Sequence, residues 1–143
     1  MATSPAAALA AVYLGLFVAH QIGDWWLQTH AQACAKGRPG WSGRFAGLRH
    51  VAVLTATKGA VLGALWALLH LGLHPWAVAA GLGIDAASHW WADRRTTLRA
   101  LAQLMDRVGP FGKTQFYDQG GALHLDQAWH MAWLLVAAVI AIR

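Results

Sequence analysis

"LGIDAASHWWADRR", Leu82 to Arg95, decides how this chain is read. It extends an apolar stretch, "PWAVAAGLG", that has the character of a helix in lipid. Yet Asp85, His89 and Asp93 follow one another at intervals of four residues. Residues four apart share one face of a helix, so the spacing predicts a greasy helix with one ionisable stripe. Such a stripe is costly in lipid: an Asp at mid-span is disfavoured by about 2.5–3.5 kcal/mol on insertion scales. It demands partners, and the rest of the chain supplies candidates.

The 143 residues are 57% hydrophobic and only 12% charged. A soluble domain carries about 25% charge, so the composition predicts a single integral-membrane domain. The nine Trp suit a membrane interface, where the ring and its N–H each find a fitting medium. The net charge of +5 sits in two basic blocks that flank apolar segments. That pattern suits topology setting and anionic lipid headgroups, and no nucleic-acid partner is expected. A lone cysteine, Cys34, allows no intramolecular disulfide. "THAQAC" is a poor lipoprotein signal, with Asp24, Gln28 and His30 before the cysteine. The N-terminal stretch has no Lys or Arg before Lys36 and is too long an apolar run for a secretory signal.

Four spans are expected, at about 6–27, 48–73, 76–91 and 122–142. At 1.5 Å per residue, a helix of about 22 residues reaches roughly 33 Å and crosses a bilayer core. Gly and Pro mark residues 34–45 and 109–121 as loops. Leu98, Leu101, Ala102 and Met105 recur at helical spacing, which predicts a short amphipathic helix over 96–108 on the membrane surface. The fold class is therefore all-α: a four-helix transmembrane bundle with a short cytoplasmic amphipathic helix between spans three and four. Lys36, Arg38, Arg44 and Arg49 follow the first span, and Arg94, Arg95, Arg99, Arg107 and Lys113 follow the third. The turn between spans two and three has no Lys or Arg. The positive-inside rule then predicts a multi-pass protein of the plasma (inner) membrane with both termini outside. Arg94, Arg95, Arg99 and Arg107 are expected to meet anionic headgroups.

With that topology, every span contributes polar groups near one depth: His20 and Asp24, then His50, then Asp85 and His89, then Asp126 and His130. "HQIGD", "DAASH" and "DQAWH" each hold one Asp and one His four apart. Carboxylate and imidazole together are ligands for a divalent transition metal, zinc or manganese foremost, and facing helices of a bundle can hold them. The expected ligands are His20, Asp24, His50, Asp85, His89, Asp126 and His130. Asp93 is the expected general base, and Gln28 and Gln127 would orient ligands from behind. Lys58, two turns into the second span, either snorkels to the cytoplasm or neutralises a carboxylate. No phosphate loop, nucleophile elbow or Cys pair competes with this chemistry.

The expected function is metal-dependent hydrolysis of a lipid-linked or membrane-proximal substrate. The alternative is a non-enzymatic membrane factor in which the Asp/His set is a structural network. A proton or metal-ion carrier ranks third, because "AALAAVYLG" and "LLVAAVIAI" give no polar path to the far side. A second copy of the chain is a candidate partner, as a homo-oligomer.

"AHQIGDWWLQTHAQACAKG", "LRHVAVLTAT", "SHWWADRR" and "LDQAWHMAWL" resemble, in order, the signature blocks of an uncharacterised family. It comprises small integral-membrane proteins of bacteria and their phages and plasmids, and carries a domain of unknown function. The resemblance covers most of the chain. It implies His20, Asp24, Gln28, His50, Asp85 or Asp93, His89, Asp126, Gln127 and His130 as polar positions, a mobile-element setting for the alternative reading, and no established activity. A looser similarity is to membrane-bound metal-dependent hydrolases. Neither group implies a residue like Lys58.

Overall fold

The computed structural model describes residues 4–143, and all secondary structure among them is helical. Helix α1 (Pro5–Ile22) starts where Ser4 Oγ accepts a hydrogen bond from the Ala7 amide, with Pro5 in the first turn. It runs into a π-helical turn, Gly23–Leu27. Thr29 and Gln32 form a capping box that opens α2 (His30–Ala35). Next come α3 (Gly40–Leu69), α4 (Pro75–Asp93), α5 (Thr96–Val108), the four-residue α6 (Lys113–Phe116), a kinked turn (Tyr117–Gly121) and α7 (Ala122–Ala141). Three helical stretches are long and apolar enough to cross a membrane: Pro5–Leu27, Gly40–Leu69 and Lys113–Ala141. Helix α4 is not among them. Its polar stripe lowers its apolarity, and that stripe is buried: Asp85, Ser88, His89 and Asp93 continue the buried line of Ala77 and Gly81.

The long helices touch in a closed order, α1 on α3, α3 on α4, α4 on α7 and α7 on α1, with α4 and α7 packed most extensively. A Cβ built on Gly81 would stand 2.6 Å from the Ala137 carbonyl oxygen. Glycine there lets the α4 and α7 backbones approach, as small residues do between helices in lipid. The apolar core lies towards one end, among Val12, Leu16, Leu62, Leu71, Leu134, Ala137, Ala138 and Ala141.

Two expected loops prove largely helical. Residues 34–45 contain the end of α2 and the start of α3. Pro39 stands at the N-cap of α3 and Gly40 takes a positive φ of 81°, so the Gly/Pro signal marks a helix start. The second long helix runs 40–69 instead of 48–73, stopping where His70 turns left-handed (φ 50°). Residues 109–121 hold α6 and the kinked turn at Tyr117–Gly121, in which Gln119 and Gly120 leave helical geometry and Gly120 takes a φ of 104°. Asp106, on α5, accepts from the backbone amides of Lys113 (2.7 Å) and Thr114 (2.8 Å), satisfying the first turn of α6. Hydrogen bonding from the Thr114 side chain first, then from the Thr114 and Lys113 amides, holds the Asp106 carboxyl below its ordinary pKa. The helix expected at 96–108 is α5, with Leu98 and Ala102 on its buried side.

Candidate metal centre

The polar residues of α1, α3, α4 and α7 meet at the end of the helices away from the apolar core. Their positions follow from the helix faces already described. The exception is Asp24, which lies in the π turn that closes α1. The widened turn re-aims a side chain by one position, and such turns recur at functional sites.

Asp24 Oδ1 lies 2.9 Å from His50 Nε2 and 3.6 Å from His89 Nε2. Those two imidazole nitrogens are 3.2 Å apart. Asp93 Oδ2 lies 3.4 Å from His89 Nε2 and 3.7 Å from His50 Nε2. Four ligand-type atoms from two helices and a π turn thus converge. Three sets of His and Asp residues each bring their donor atoms within 4.8 Å of one another: Asp24, His89 and His130; His50, His89 and Asp93; and Asp93, Asp126 and His130. His89 and His130 stack with ring centres 3.8 Å apart, and Asp126 Oδ2 is 3.4 Å from His130 Nε2. His20, His50, His89, Asp93 and His130 are all buried, while Asp126 keeps 20% of its side chain exposed.

Several of these atoms have no hydrogen-bond partner among the described residues. Asp93 Oδ2 and His130 Nε2 are buried and unpartnered, while Asp24 Oδ1 has only His50 Nε2 within 3 Å. A buried polar atom left in this way costs about 1–3 kcal/mol. The donor types, their spacing and their unused lone pairs therefore fit a divalent metal ion. Gln127 sits behind two of the residues: its Nε2 donates to Asp24 Oδ2 at 3.3 Å, and its Oε1 is 3.4 Å from His20 Nε2. It joins the outer carboxylate oxygen to the ring of His20, the orienting position expected of it. Gln28 borders the adjoining cavity with its Nε2 unpartnered.

Other expected residues are placed differently. Asp85 is not part of the cluster: its Oδ2 accepts from Lys58 Nζ at 2.5 Å, with both side chains buried. Of the two courses open to Lys58, neutralising a carboxylate is the one taken. Asp93, expected as a free base, is held among the potential ligand atoms and is also paired to Lys36 Nζ through Oδ1 at 2.6 Å. Lys36 was legible only as one more positive charge. Its reach into the site depends on the turn between α2 and α3, which has no period to read. His20 touches the cluster through Asp24 Oδ2 at 3.6 Å and through Gln127, outside the three sets.

The arginines also have protein partners. Arg94 donates to the carbonyls of Lys36 (2.9 Å) and Arg38 (2.7 Å), and Arg95 reaches that of Ala33 (3.4 Å). The end of α4 thereby pins the α2–α3 turn that delivers Lys36. Arg99 makes a two-pronged pair with Asp118 at 2.8 and 2.7 Å. Arg107 is exposed with no such partner among the described residues.

Beside the cluster opens a cavity of about 630 Å³ lined by Asp24, Gln28, Lys36, Asp93, Arg95, Tyr117, Asp126 and Gln127, with Trp25, Leu98 and Leu123. Carboxylates, cations and apolar groups thus share one wall. Comparison with models of known families, with curated proteins and with solved structures finds no match to this chain.

Proposed function

We propose that this chain is a metal-dependent hydrolase of the plasma membrane, acting on a lipid-linked or membrane-proximal substrate. In this reading α1, α3, α4 and α7 form a four-helix transmembrane bundle, and α5 lies on the cytoplasmic surface. The carrying observation is the spacing of Asp24, His50, His89 and Asp93. Tetrahedral ligands at 2.0–2.1 Å from zinc stand about 3.3 Å from one another. Five of the six separations among these four atoms, those that involve a histidine, run from 2.9 to 3.7 Å. Charge agrees. Of Asp24, Asp85, Asp93 and Asp126, only Asp93 and Asp85 are ion-paired to a Lys, Lys36 and Lys58 respectively, while Arg95 lines the cavity without pairing to any of them. With neutral imidazoles this leaves two negative charges, the complement of one divalent ion.

When bound, such an ion acts as a Lewis acid and lowers the pKa of water towards neutrality. The chain's own residues account for the rest. The cavity admits a headgroup from the side of the turns. Lys36 and Arg95 place positive charge on its wall, where a phosphoryl or acyl oxygen gains negative charge during hydrolysis. Asp126, 20% exposed and lining the cavity, is the carboxylate that meets the substrate and its water, since Asp93 is paired to Lys36. Gln127 keeps Asp24 and His20 in register.

The basic residues of the α2–α3 turn and of α5 support a cytoplasmic location for this end, with both termini outside. In a Cys34→Ser background, a cysteine at Gly72 should react with an impermeant thiol reagent in intact cells, and one at Gly40 should not. The reverse pattern inverts the topology.

The buried Lys58–Asp85 and Lys36–Asp93 pairs favour a second reading, a non-enzymatic membrane factor stabilised by a polar network. Metal content separates the two. Detergent-purified protein should carry zinc or manganese, lose most of it on Asp24→Asn, and melt at lower temperature after chelation. Less than about 0.1 equivalents of any transition metal after loading at neutral pH, where His is a competent ligand, overturns the hydrolase reading in favour of the network.

A further inference from the structure

We infer that the centre has two metal positions of different character: an enclosed one at Asp24, His50, His89 and Asp93, and an open one at Asp126 and His130 that shares Asp93. The inference rests on the metal-dependent reading above and goes on to divide the site.

The enclosed position gathers Asp24 Oδ1, His50 Nε2, His89 Nε2 and Asp93 Oδ2, which the five short separations already given join through the two histidines. A four-donor set with no open place is the hallmark of a structural zinc site, whereas a catalytic one keeps a place for water or substrate. The second position differs on each count. Asp93, Asp126 and His130 bring three donor atoms within 4.8 Å of one another, and His130 also forms such a set with Asp24 and His89, so the two positions adjoin. Asp126 is the most exposed of the acidic residues in the cluster, with 20% of its side chain open, and it lines the cavity. His130 is 1% exposed, and its Nε2 has no hydrogen-bond partner although it points to Asp126 at 3.4 Å. That orphaned nitrogen is an observation independent of the acidic residues and is explained by an ion on the Asp126 side. Asp93 belongs both to the set with His50 and His89 and to the set with Asp126 and His130. With Oδ1 paired to Lys36, Asp93 would be shared between the two positions through Oδ2, as carboxylates are shared in dimetal bundles.

Charge orders the two positions. The excess of two negative charges is met by the first divalent ion. A second leaves the cavity floor positive beside Lys36 and Arg95, so it binds more weakly and leaves a place for an anionic group. The open position is therefore the one that faces substrate, and the enclosed one fixes α1, α3 and α4 together.

Zinc titration of the metal-stripped full chain in detergent, read by elemental analysis and calorimetry, tests the division. Wild type should take up about two equivalents in a tight and a weaker step, and Asp126→Asn and His130→Gln should each keep about one, the tight step. His50→Gln should instead lose the tight step. Cobalt substituted at one equivalent should give the intense absorption of a four-coordinate ion, equally in wild type and Asp126→Asn. A wild type that stops at one equivalent, or an Asp126→Asn protein that still binds two, overturns the inference while leaving the hydrolase reading intact. No uptake at all overturns both. Asp126 is partly exposed, so its variant reports on binding even where His130→Gln fails to fold.

Discussion

The same four helices build two unlike interiors, and the change between them takes a single turn. Leu16 lies four residues before His20 on α1, and Gly81 four before Asp85 on α4. On the antiparallel partners the order reverses: Lys58 precedes Leu62 on α3, and His130 precedes Leu134 on α7. All eight are buried. On one side of this plane the interior is Val, Leu, Ala and Gly. On the other Asp, His and Lys are buried beside a few apolar residues such as Val51, Leu54 and Ala92. The apolar interior is satisfied by shape alone. The polar one is satisfied only as a set, because each charged group there depends on a specific partner from another helix. A fault in the first interior is therefore local and graded, while a fault in the second leaves a charge with nowhere to go.

The largest break is expected at the plane itself. Lys58 and Asp85 are both buried and paired at 2.5 Å. Removing one partner of a buried pair typically costs about 3–5 kcal/mol, because the other charge is left uncompensated, whereas replacing both with apolar residues is often neutral. Lys58→Met and Asp85→Leu should each sharply lower the melting temperature in detergent, and the double variant should recover most of the loss. Additive losses in the double variant would mean that the two residues stabilise the fold through other contacts. Metal uptake should survive in the double variant, since Asp85 lies outside the three donor sets.

What could be read from the chain follows the same division. The i and i+4 Asp/His pairs were legible because helical period alone puts both members on one face. Three segments carry such pairs and a fourth carries His50 at one depth, and all but Asp85, which pairs with Lys58, come together. Helix α5 was legible to its ends, since its apolar stripe and the Gly109 that follows are both local signals. The π turn at Gly23–Leu27 left no such mark. It is a change of helical register, not of composition, and it alters where Asp24 points. The Lys58–Asp85 pair depends on how α3 slides against α4, which no single helix encodes. Lys36 reaches Asp93 because two arginines at the end of α4 bind the carbonyls of its turn. That contact spans 58 positions of sequence. Gly and Pro near residues 37–40 were read as loop, but the same residues start a helix when Pro takes the N-cap and Gly a positive φ.

The smaller break belongs to the apolar interior and sharpens the contrast. Leu134 is fully buried among Leu16, Leu62 and Ala138. In a soluble core, Leu→Ala costs about 2–5 kcal/mol, the sum of lost transfer from water and an unfilled cavity. Lipid tails are as apolar as leucine, so helices in a bilayer gain little from moving a side chain out of lipid. The packing term is left, and Leu134→Ala should fall at the low end, about 2 kcal/mol. The loss should be graded: Leu134→Met, which conserves volume, should cost less still. The Asp/His donors one turn away should keep their positions, because truncating an apolar side chain leaves no charge unpaired. Metal content per folded chain should then equal that of wild type, while thermal unfolding begins earlier. A loss of metal in Leu134→Ala as deep as that in Asp24→Asn would show that the two interiors are one cooperative unit. The change of composition at the plane would then mark chemistry without marking a boundary in stability.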